Sequence, residues 1–268
     1  MSDTACRSTY YETKQWPCKA EALRAHDETV GLRVEERGVV ALNATPPYLM
    51  RQFYAAGRVR FVALLRSPID RLRHAFYTHV HYPKRYGRSA DGLHSYVEQQ
   101  AAGWDACVAK YGRWRCAIHF EQLGKEQSDV FFHCDQLIRG IYSPFVRDWL
   151  AAFPRSLLIL RAEDFYGAAA TREELLLRTW AHLGLPAPSA GGGSPPYVGS
   201  KVEKRLREQP YASWTANKGP IHPKTSERLG RVFAPFNREL RDMLEADGTS
   251  CSSSDDCDRF LWAGSGVP

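Results

Sequence analysis

The chain has 268 residues, of which 44% are hydrophobic and 25% charged, a composition that supplies a sizeable core and excludes wholesale disorder. Its 36 Lys and Arg against 30 Asp and Glu give a formal net charge of +6. This excess suits an anionic cofactor or substrate but is too small and too scattered to indicate nucleic acid. The sequence contains no run of about 18 uncharged apolar residues, so it predicts no membrane span. The opening residues, MSDTACRSTYYETK, lack the apolar stretch of a signal peptide.

Two apolar runs near the start of the chain predict strands. Residues 38–42 (GVVAL) form a short run that ends at NATPP, and residues 58–65 (RVRFVALL) form the clearest strand pattern. The unbroken apolar end of the second run is typical of a parallel strand buried on both faces. It ends at Arg66-Ser67, and Pro68 then suits the first turn of a helix that continues through Tyr77.

The second half of the chain repeats this alternation of helix and strand. A helix is predicted up to Phe153-Pro154 from apolar residues at helical spacing, namely Leu137, Ile141, Phe145, Trp149 and Leu150. Residues 156–161 predict a second buried strand. An amphipathic segment over residues 171–183 stops at Gly184, a common residue just after a helix end.

The last third of the chain adds one long predicted helix after a loop. Residues 186–200 (PAPSAGGGSPPYVGS) are expected to be a flexible loop within the domain, and the helix runs from about Lys224 to Leu244. Because strands alternate with helices, the sequence predicts the α/β class with a parallel sheet, as a single domain over residues 1–268.

The seven cysteines are odd in number, so pairing can be at most partial. Two pairs are close enough in sequence to close small loops, Cys107 with Cys116 and Cys251 with Cys257. Disulfides there would indicate an oxidising lumen, and buried reduced thiols are the equally open alternative. No CxxC spacing occurs, so the sequence predicts no structural zinc site.

The junction between the strand predicted at residues 58–65 and the helix after it is a candidate oxyanion site. Arg66 stands at the carboxyl end of that strand, just before a helix N-terminus. The dipole and amides of a first helical turn favour negative charge, and a guanidinium binds phosphate through two parallel hydrogen bonds. The alternative is an ordinary capped helix start with a solvated arginine.

Four segments in chain order are the most informative: FVALLRSPIDRLRHAFYTHV, GIYSPFVRDWLAAFPRSLLILRAEDFY, NKGPIHP and RVFAPFNREL. The first resembles the strand and R-x-P-x-x-R-x-x-S motif of the PAPS-dependent sulfotransferases, and the second resembles their G-x-Y…L-R-x-E-D-L stretch. The third resembles the K-G-R-x-H-P loop of the heparan-type enzymes, and the fourth resembles their closing F-Y-x-P-F-N-x-x-L helix. The resemblance to this superfamily covers about residues 10–245 and is nearest its carbohydrate (heparan- and chondroitin-type) branch.

The resemblance implies a P-loop-NTPase-like parallel sheet flanked by helices, PAPS (3′-phosphoadenosine 5′-phosphosulfate) as co-substrate, and no metal. It implies transfer of a sulfuryl group to a hydroxyl or amine of an anionic, glycosaminoglycan-like carbohydrate in the Golgi lumen. No nucleic-acid partner and no membrane contact within this chain are expected. Four basic residues would meet such a glycan, unless they form only a solvated face: Arg71, Lys84, Arg85 and Arg88.

Individual positions take roles by this resemblance. Arg66 would hold the 3′-phosphate, and His74 falls where the family has a serine that contacts the same phosphate. Glu12, in YETKQW, resembles the glutamate of the K-E-x-x-F-F/W segment and would be the general base for the acceptor hydroxyl; a solvated surface glutamate is the alternative. The loop closing over the nucleotide would be Lys218, Gly219, Pro220, Ile221 and His222, with Pro220 where the family has arginine. A plain turn is the alternative for this loop.

The family's P-K-x-G-T-T/S-x-L loop, which binds the 5′-phosphosulfate, has no counterpart in residues 1–268. We therefore expect a sulfotransferase domain without its first strand and phosphate loop. Such a chain would bind the bisphosphate product weakly and transfer sulfate near background, because charge stabilisation is lost. Two alternatives stay open: an inactive sulfotransferase-like nucleotide- or glycan-binding protein, and a cytosolic-type enzyme acting on small alcohols or phenols. The second type uses a catalytic histidine and an R-K-G-x-x-G-D-W-K-N loop, neither of which can be placed here.

Overall fold

The computed structural model describes residues 46–55, 57–113, 116–117, 136–167, 169–185 and 219–262. Several sequence predictions lie outside these residues: the strand at 38–42, the loop at 186–200, and the positions Glu12 and Lys218. Among the described residues, no helix is both long enough and apolar enough to cross a bilayer.

The described residues form helices arranged around a small sheet. In chain order the elements are α1 (Pro46–Phe53), β1 (Phe61–Leu65), α2 (Pro68–Thr78), α3 (His81–Tyr86), α4 (Ala90–Tyr111), α5 (Ser143–Ala152), β2 (Leu157–Arg161), α6 (Ala162–Phe165), α7 (Ala169–Leu183), α8 (Pro223–Asp247) and α9 (Ser254–Asp258). A 3₁₀ turn over Arg259–Leu261 follows. The prediction of a mixed α/β protein with parallel strands is confirmed at this level.

The two described strands pair in parallel, with Phe61 opposite Leu157 and Leu65 opposite Arg161. β2 is buried along its apolar length, as predicted. β1 alternates instead: Val62 is 42% and Leu64 is 44% exposed, so the prediction of burial on both faces is wrong for this strand. Leu175 of α7 packs against Leu158 and Leu160 of β2, whereas the α7 contact to β1 is made by His182 at the Phe61 carbonyl, at the start of the strand.

The helix predicted from the spacing that starts at Leu137 is interrupted. Residues 136–138 are helical, the chain turns at 139–140, and α5 begins only at Ser143. Gly140 sits at the turn, where an added Cβ would lie 2.8 Å from the Phe233 ring and 3.1 Å from Pro68 Cβ. The chain therefore turns where three elements meet too closely for a side chain.

The other predicted helices are confirmed with small shifts of their ends. α7 stops before Gly184 and α8 stops before Gly248, and both glycines have φ of +69°. A left-handed residue directly after a helix favours glycine, which has no Cβ to clash. α8 is longer than predicted by a few residues at its carboxyl end, since it continues to Asp247.

Two large apolar clusters hold the fold together. The first lies between α2, α4 and α8 and includes Leu72, Phe76, Tyr96, Leu229 and Phe233. The second packs α8 and the last described residues against the sheet and includes Leu157, Ile159, Leu240, Phe260 and Trp262. α8 thus joins the two clusters, and it holds the last described residues, up to Trp262, beside the sheet.

Both local cysteine pairs form disulfides, Cys107 with Cys116 and Cys251 with Cys257. Their Cα atoms are 6.0 Å and 5.3 Å apart, respectively. The second disulfide is buried in the cluster that covers the sheet. It ties Cys251, just before α9, to Cys257 within α9, and so holds the segment that leads to Trp262.

Candidate functional site

The carboxyl ends of β1 and β2 form the edge of the sheet where the candidate site lies. Because Leu65 pairs with Arg161 in a parallel register, Arg66 and Ala162 leave the sheet side by side. α2 begins just after β1, and α6 begins directly after β2. Ligands of open parallel sheets bind at this edge, so the predicted phosphate contact Arg66 occupies a position suited to that role.

The start of α2 is capped as the sequence predicts. Ser67 is the N-cap residue, its Oγ accepts a hydrogen bond from the Asp70 amide at 3.4 Å, and Pro68 occupies the first turn. Ser67 is fully buried. Its own amide donates to Glu163 Oε1 at 2.7 Å. A carboxylate from α6 thus lies at the N-terminus of α2, where the helix dipole favours negative charge.

Tyr142 lies beside the same junction, immediately before α5. Its hydroxyl donates to the Arg66 carbonyl at 2.8 Å. Burial raises the pKa of Tyr142 to about 12, although the positive charge of Arg71 acts in the opposite direction. The phenol therefore stays protonated and keeps its hydrogen bond throughout the neutral range.

Replacing Tyr142 with Phe tests the burial of this phenol through the pH dependence of the free energy of unfolding. A pKa raised from 10 to about 12 in the folded state means that stability is fully present below pH 10 and is lost as pH rises toward 12, because the unfolded state releases its proton first. We expect the free energy of unfolding of the wild type to fall in this window by about 2 kcal/mol more than that of Tyr142→Phe. Urea titrations of both proteins between pH 9 and 12 measure the difference, and parallel pH curves would contradict the assignment.

Gly219 and Pro220 of the predicted nucleotide loop lie against α2. Arg73 Nε donates to the Gly219 carbonyl at 2.6 Å, and the Tyr77 hydroxyl is 2.6 Å from the Pro220 carbonyl. The same hydroxyl is 2.9 Å from the Ser89 carbonyl, so its single proton serves one of the two acceptors at a time. Burial raises the pKa of Tyr77, and the charges of Arg73 and Arg88 partly offset that rise.

Gly219 packs directly on a tyrosine ring, so a larger residue at this position is expected to destabilise the fold. A Cβ at this position would lie 2.4 Å from the Tyr77 ring, which is only 4% exposed and is held by its hydroxyl. We expect Gly219→Ala to lower the free energy of unfolding by about 1–2 kcal/mol through overpacking.

The matched control is Gly230→Ala in α8, where an added Cβ meets nothing within 4 Å. It should raise the free energy of unfolding by about 0.5–1 kcal/mol, because alanine favours helix over glycine. Urea denaturation measures both changes. Equal shifts of the same sign in the two variants would show that the Gly219 contact is not close-packed.

Two predicted histidines have partners within the fold. His74 lies roughly 10 Å along α2 from its start, and its Nε2 is 3.3 Å from Thr78 Oγ1. His222 is the N-cap residue of α8, and its Nε2 is 2.8 Å from Asp91 Oδ1 at the start of α4. The structure thus brings α2 and residues 219–220 together, whereas His222 pairs with another helix. Glu12 and Lys218 lie outside the described residues.

Sequence reasoning assigned no role to several residues that surround Arg66. Tyr142 and Glu163 contact the junction directly, and Trp262 Nε1 donates to Glu163 Oε2 at 3.2 Å. The acidic pair Glu163-Asp164, which follows the strand predicted at residues 156–161, could have indicated their position. Residues that follow parallel strands meet at the same edge of the sheet. Within the described ranges, no group of three or more His, Cys, Asp or Glu side chains could hold a metal ion.

Comparison with known proteins finds relatives of one kind. Carbohydrate sulfotransferase 15 of Homo sapiens is 26% identical over 206 residues, covering 74% of this chain and 32% of that protein. The proteins of the same name from Mus musculus and Rattus norvegicus are each 25% identical over 207 residues, or 75% of this chain and 33% of theirs. This chain therefore spans about a third of the length of the curated relatives that it matches.

No protein-family model matches the chain, and no solved structure matches it. The sequence similarity extends over about three quarters of the chain. On this evidence the chain is a relative of the carbohydrate sulfotransferases.

Proposed function

We propose that this protein transfers a sulfuryl group from PAPS to a hydroxyl or amine of a glycosaminoglycan-like carbohydrate. The observation that carries the proposal is the position of Arg66 at the carboxyl edge of a parallel sheet, directly before the capped start of α2. An arginine so placed suits a phosphate group. The relationship to carbohydrate sulfotransferases supports sulfate transfer to a carbohydrate, and PAPS is the donor that the sequence resemblance implies.

In this proposal Arg66 holds the 3′-phosphate of the nucleotide. The Ser67 amide is already engaged by Glu163, so the phosphate contact relies on the guanidinium of Arg66. Residues 218–222 close over the nucleotide, and the contacts from Arg73 and Tyr77 fix the backbone of residues 219–220 against α2. His74, on the same helix, supplies a further donor to the phosphate.

The transfer step needs a base and a leaving group. The acceptor oxygen loses its proton to Glu12 as it forms a bond to sulfur, and the bond from sulfur to the 5′-phosphate oxygen breaks. Adenosine 3′,5′-bisphosphate leaves with the bonding electrons. A carboxylate suits the role of base when partial burial raises its pKa toward neutrality.

The described surface also bears on the acceptor and the compartment. Lys84, Arg85 and Arg88 are exposed on and just after α3, where an anionic glycan can reach them. Arg71 is less suited to such contact, because it donates to Gln136 Oε1 at 3.0 Å in a half-buried position.

The two disulfides accord with an oxidising compartment such as the Golgi lumen.

A transfer assay tests the proposal. The protein, produced in a secretory host, is incubated with PAPS carrying radiolabelled sulfate and with a panel of glycosaminoglycans, a neutral polysaccharide and a phenol. Because the P-K-x-G-T-T string is absent from residues 1–268, we expect weak transfer that is confined to glycosaminoglycans, and none to the phenol. Label in the phenol alone would contradict the proposed acceptor class.

A second candidate function is nucleotide or glycan binding without turnover. It is favoured by one observation, the absence of a P-K-x-G-T-T string from residues 1–268. Calorimetric binding of adenosine 3′,5′-bisphosphate together with no transfer to any acceptor would support this candidate over the enzyme.

A further inference from the structure

The peptide unit between Arg66 and Ser67 is held on both sides by side chains from distant parts of the chain. Its carbonyl accepts from the Tyr142 hydroxyl at 2.8 Å, and its amide donates to Glu163 Oε1 at 2.7 Å. The carbonyl and amide of a trans peptide point in opposite directions. Two such contacts therefore fix the rotation of the peptide plane, and with it the direction in which the Arg66 side chain leaves the sheet.

Glu163 is itself fixed by a residue near the end of the described chain. Its second oxygen, Oε2, accepts from Trp262 Nε1 at 3.2 Å and lies 3.8 Å from Arg161 Nε. Trp262 is only 7% exposed and packs with Phe260 and Tyr142, at ring-centroid distances of 5.8 Å and 6.0 Å. The Cys251–Cys257 disulfide lies in the same cluster. Each oxygen of the Glu163 carboxylate therefore accepts a hydrogen bond from a different donor, the Ser67 amide or the Trp262 indole.

The negative charge of Glu163 does not explain why this residue lies beside Arg66. A carboxylate beside a phosphate site repels the phosphate by Coulomb's law, so attraction for the ligand does not account for its position. Its hydrogen bonds do account for it, because they hold the 66–67 peptide in place.

We infer that Glu163, oriented by Trp262, is a positioning residue for phosphate binding by Arg66. The inference rests on the proposed function of Arg66. It adds that the last described residues of the chain act on the nucleotide site through the hydrogen bond from Trp262 to Glu163.

Replacing Glu163 with Gln tests the inference, because positioning and repulsion predict opposite signs. A glutamine has one acceptor oxygen, so either the Ser67 amide or the Trp262 indole loses its partner. Positioning then predicts an affinity for adenosine 3′,5′-bisphosphate that is about tenfold weaker. Removal of a repelling charge alone would make the affinity stronger. Isothermal calorimetry with the bisphosphate, and with adenosine 5′-monophosphate as reference, isolates the contribution of the 3′-phosphate.

Asp164→Asn is the matched control for charge. Asp164 is on the same short helix, α6, and pairs with Arg259 and, at 3.6 Å, with Arg161. Its replacement removes the same charge while leaving both hydrogen bonds of the 66–67 peptide in place. We expect bisphosphate affinity in this variant to be equal to or slightly stronger than in the wild type.

Trp262→Phe provides a second test, because it keeps an aromatic ring at this position and removes the indole N–H that donates to Glu163. We expect it to weaken bisphosphate affinity in the same direction as Glu163→Gln. Since Trp262 acts through Glu163, the double variant should bind no more weakly than Glu163→Gln alone. Two independent packing defects would instead add, so this comparison separates positioning from general loosening.

The outcomes distinguish the inference from the function on which it rests. A wild-type protein that binds the bisphosphate no better than the monophosphate overturns the proposed function. A wild-type preference for the bisphosphate that Glu163→Gln leaves unchanged or increases overturns the inference alone. If Glu163→Gln fails to fold, Trp262→Phe decides: affinity within about twofold of the wild type overturns the inference.

Discussion

Replacing Arg66 with Ala is expected to weaken binding of adenosine 3′,5′-bisphosphate by about 1.5–3 kcal/mol, or roughly 10- to 150-fold. That is the range for hydrogen bonds to a charged group, and the guanidinium is placed where such a group would sit, after β1 and before the capped start of α2. Calorimetry on the folded variant gives the number directly. Arg66→Lys should lose part of this affinity, because an ammonium keeps the charge but not the two parallel donors.

The control for this prediction is Arg58→Ala. Arg58 is exposed and precedes β1, so it lies on the order of 20 Å from Arg66, at the opposite end of the strand. Its removal lowers the net charge by the same amount and should leave the affinity nearly unchanged. Equal losses in Arg58→Ala and Arg66→Ala would indicate general attraction by a basic surface and would contradict a specific contact. Unchanged affinity in a folded Arg66→Ala protein would contradict it as well.

The elements around Arg66 are predictable because their signals are local. An apolar run, a serine that caps the helix and a proline at its first turn stand within ten residues of one another. The exposed positions Val62 and Leu64 of β1 are not predictable in this way, since their burial depends on how the helices pack over the sheet. The break before α5 also depends on a tertiary contact, the close approach of Phe233 and Pro68 to Gly140.

The partners of the candidate site are harder to predict for the same reason. Tyr142 and Glu163 reach the Arg66–Ser67 peptide from 76 and 96 residues away in sequence. His222 finds Asp91 across 131 residues. No spacing rule connects such positions. The motif around Arg66 predicts where a phosphate contact lies, whereas the side chains that hold its backbone become visible only when the strands and the last helices pack together.

In a protein extended ahead of Tyr11 by a relative's first strand and P-K-x-G-T-T loop, which should restore transfer, Glu12→Gln is expected to lower the turnover rate by about 10²- to 10⁴-fold, the usual effect of losing a general base. The extended protein with Glu12 intact serves as the wild type in this comparison. Bisphosphate affinity should stay the same, because Glu12 is proposed to act on the acceptor hydroxyl and not on the nucleotide. In the wild type, kcat/KM should rise with pH through the pKa of this carboxyl, and the rise should vanish in Glu12→Gln. Glu21→Gln, the same charge change nine positions later, is the control and should keep both rate and pH profile. A Glu12→Gln protein with wild-type turnover would move the role of base to another residue and leave the placement of the nucleotide at Arg66 unaffected.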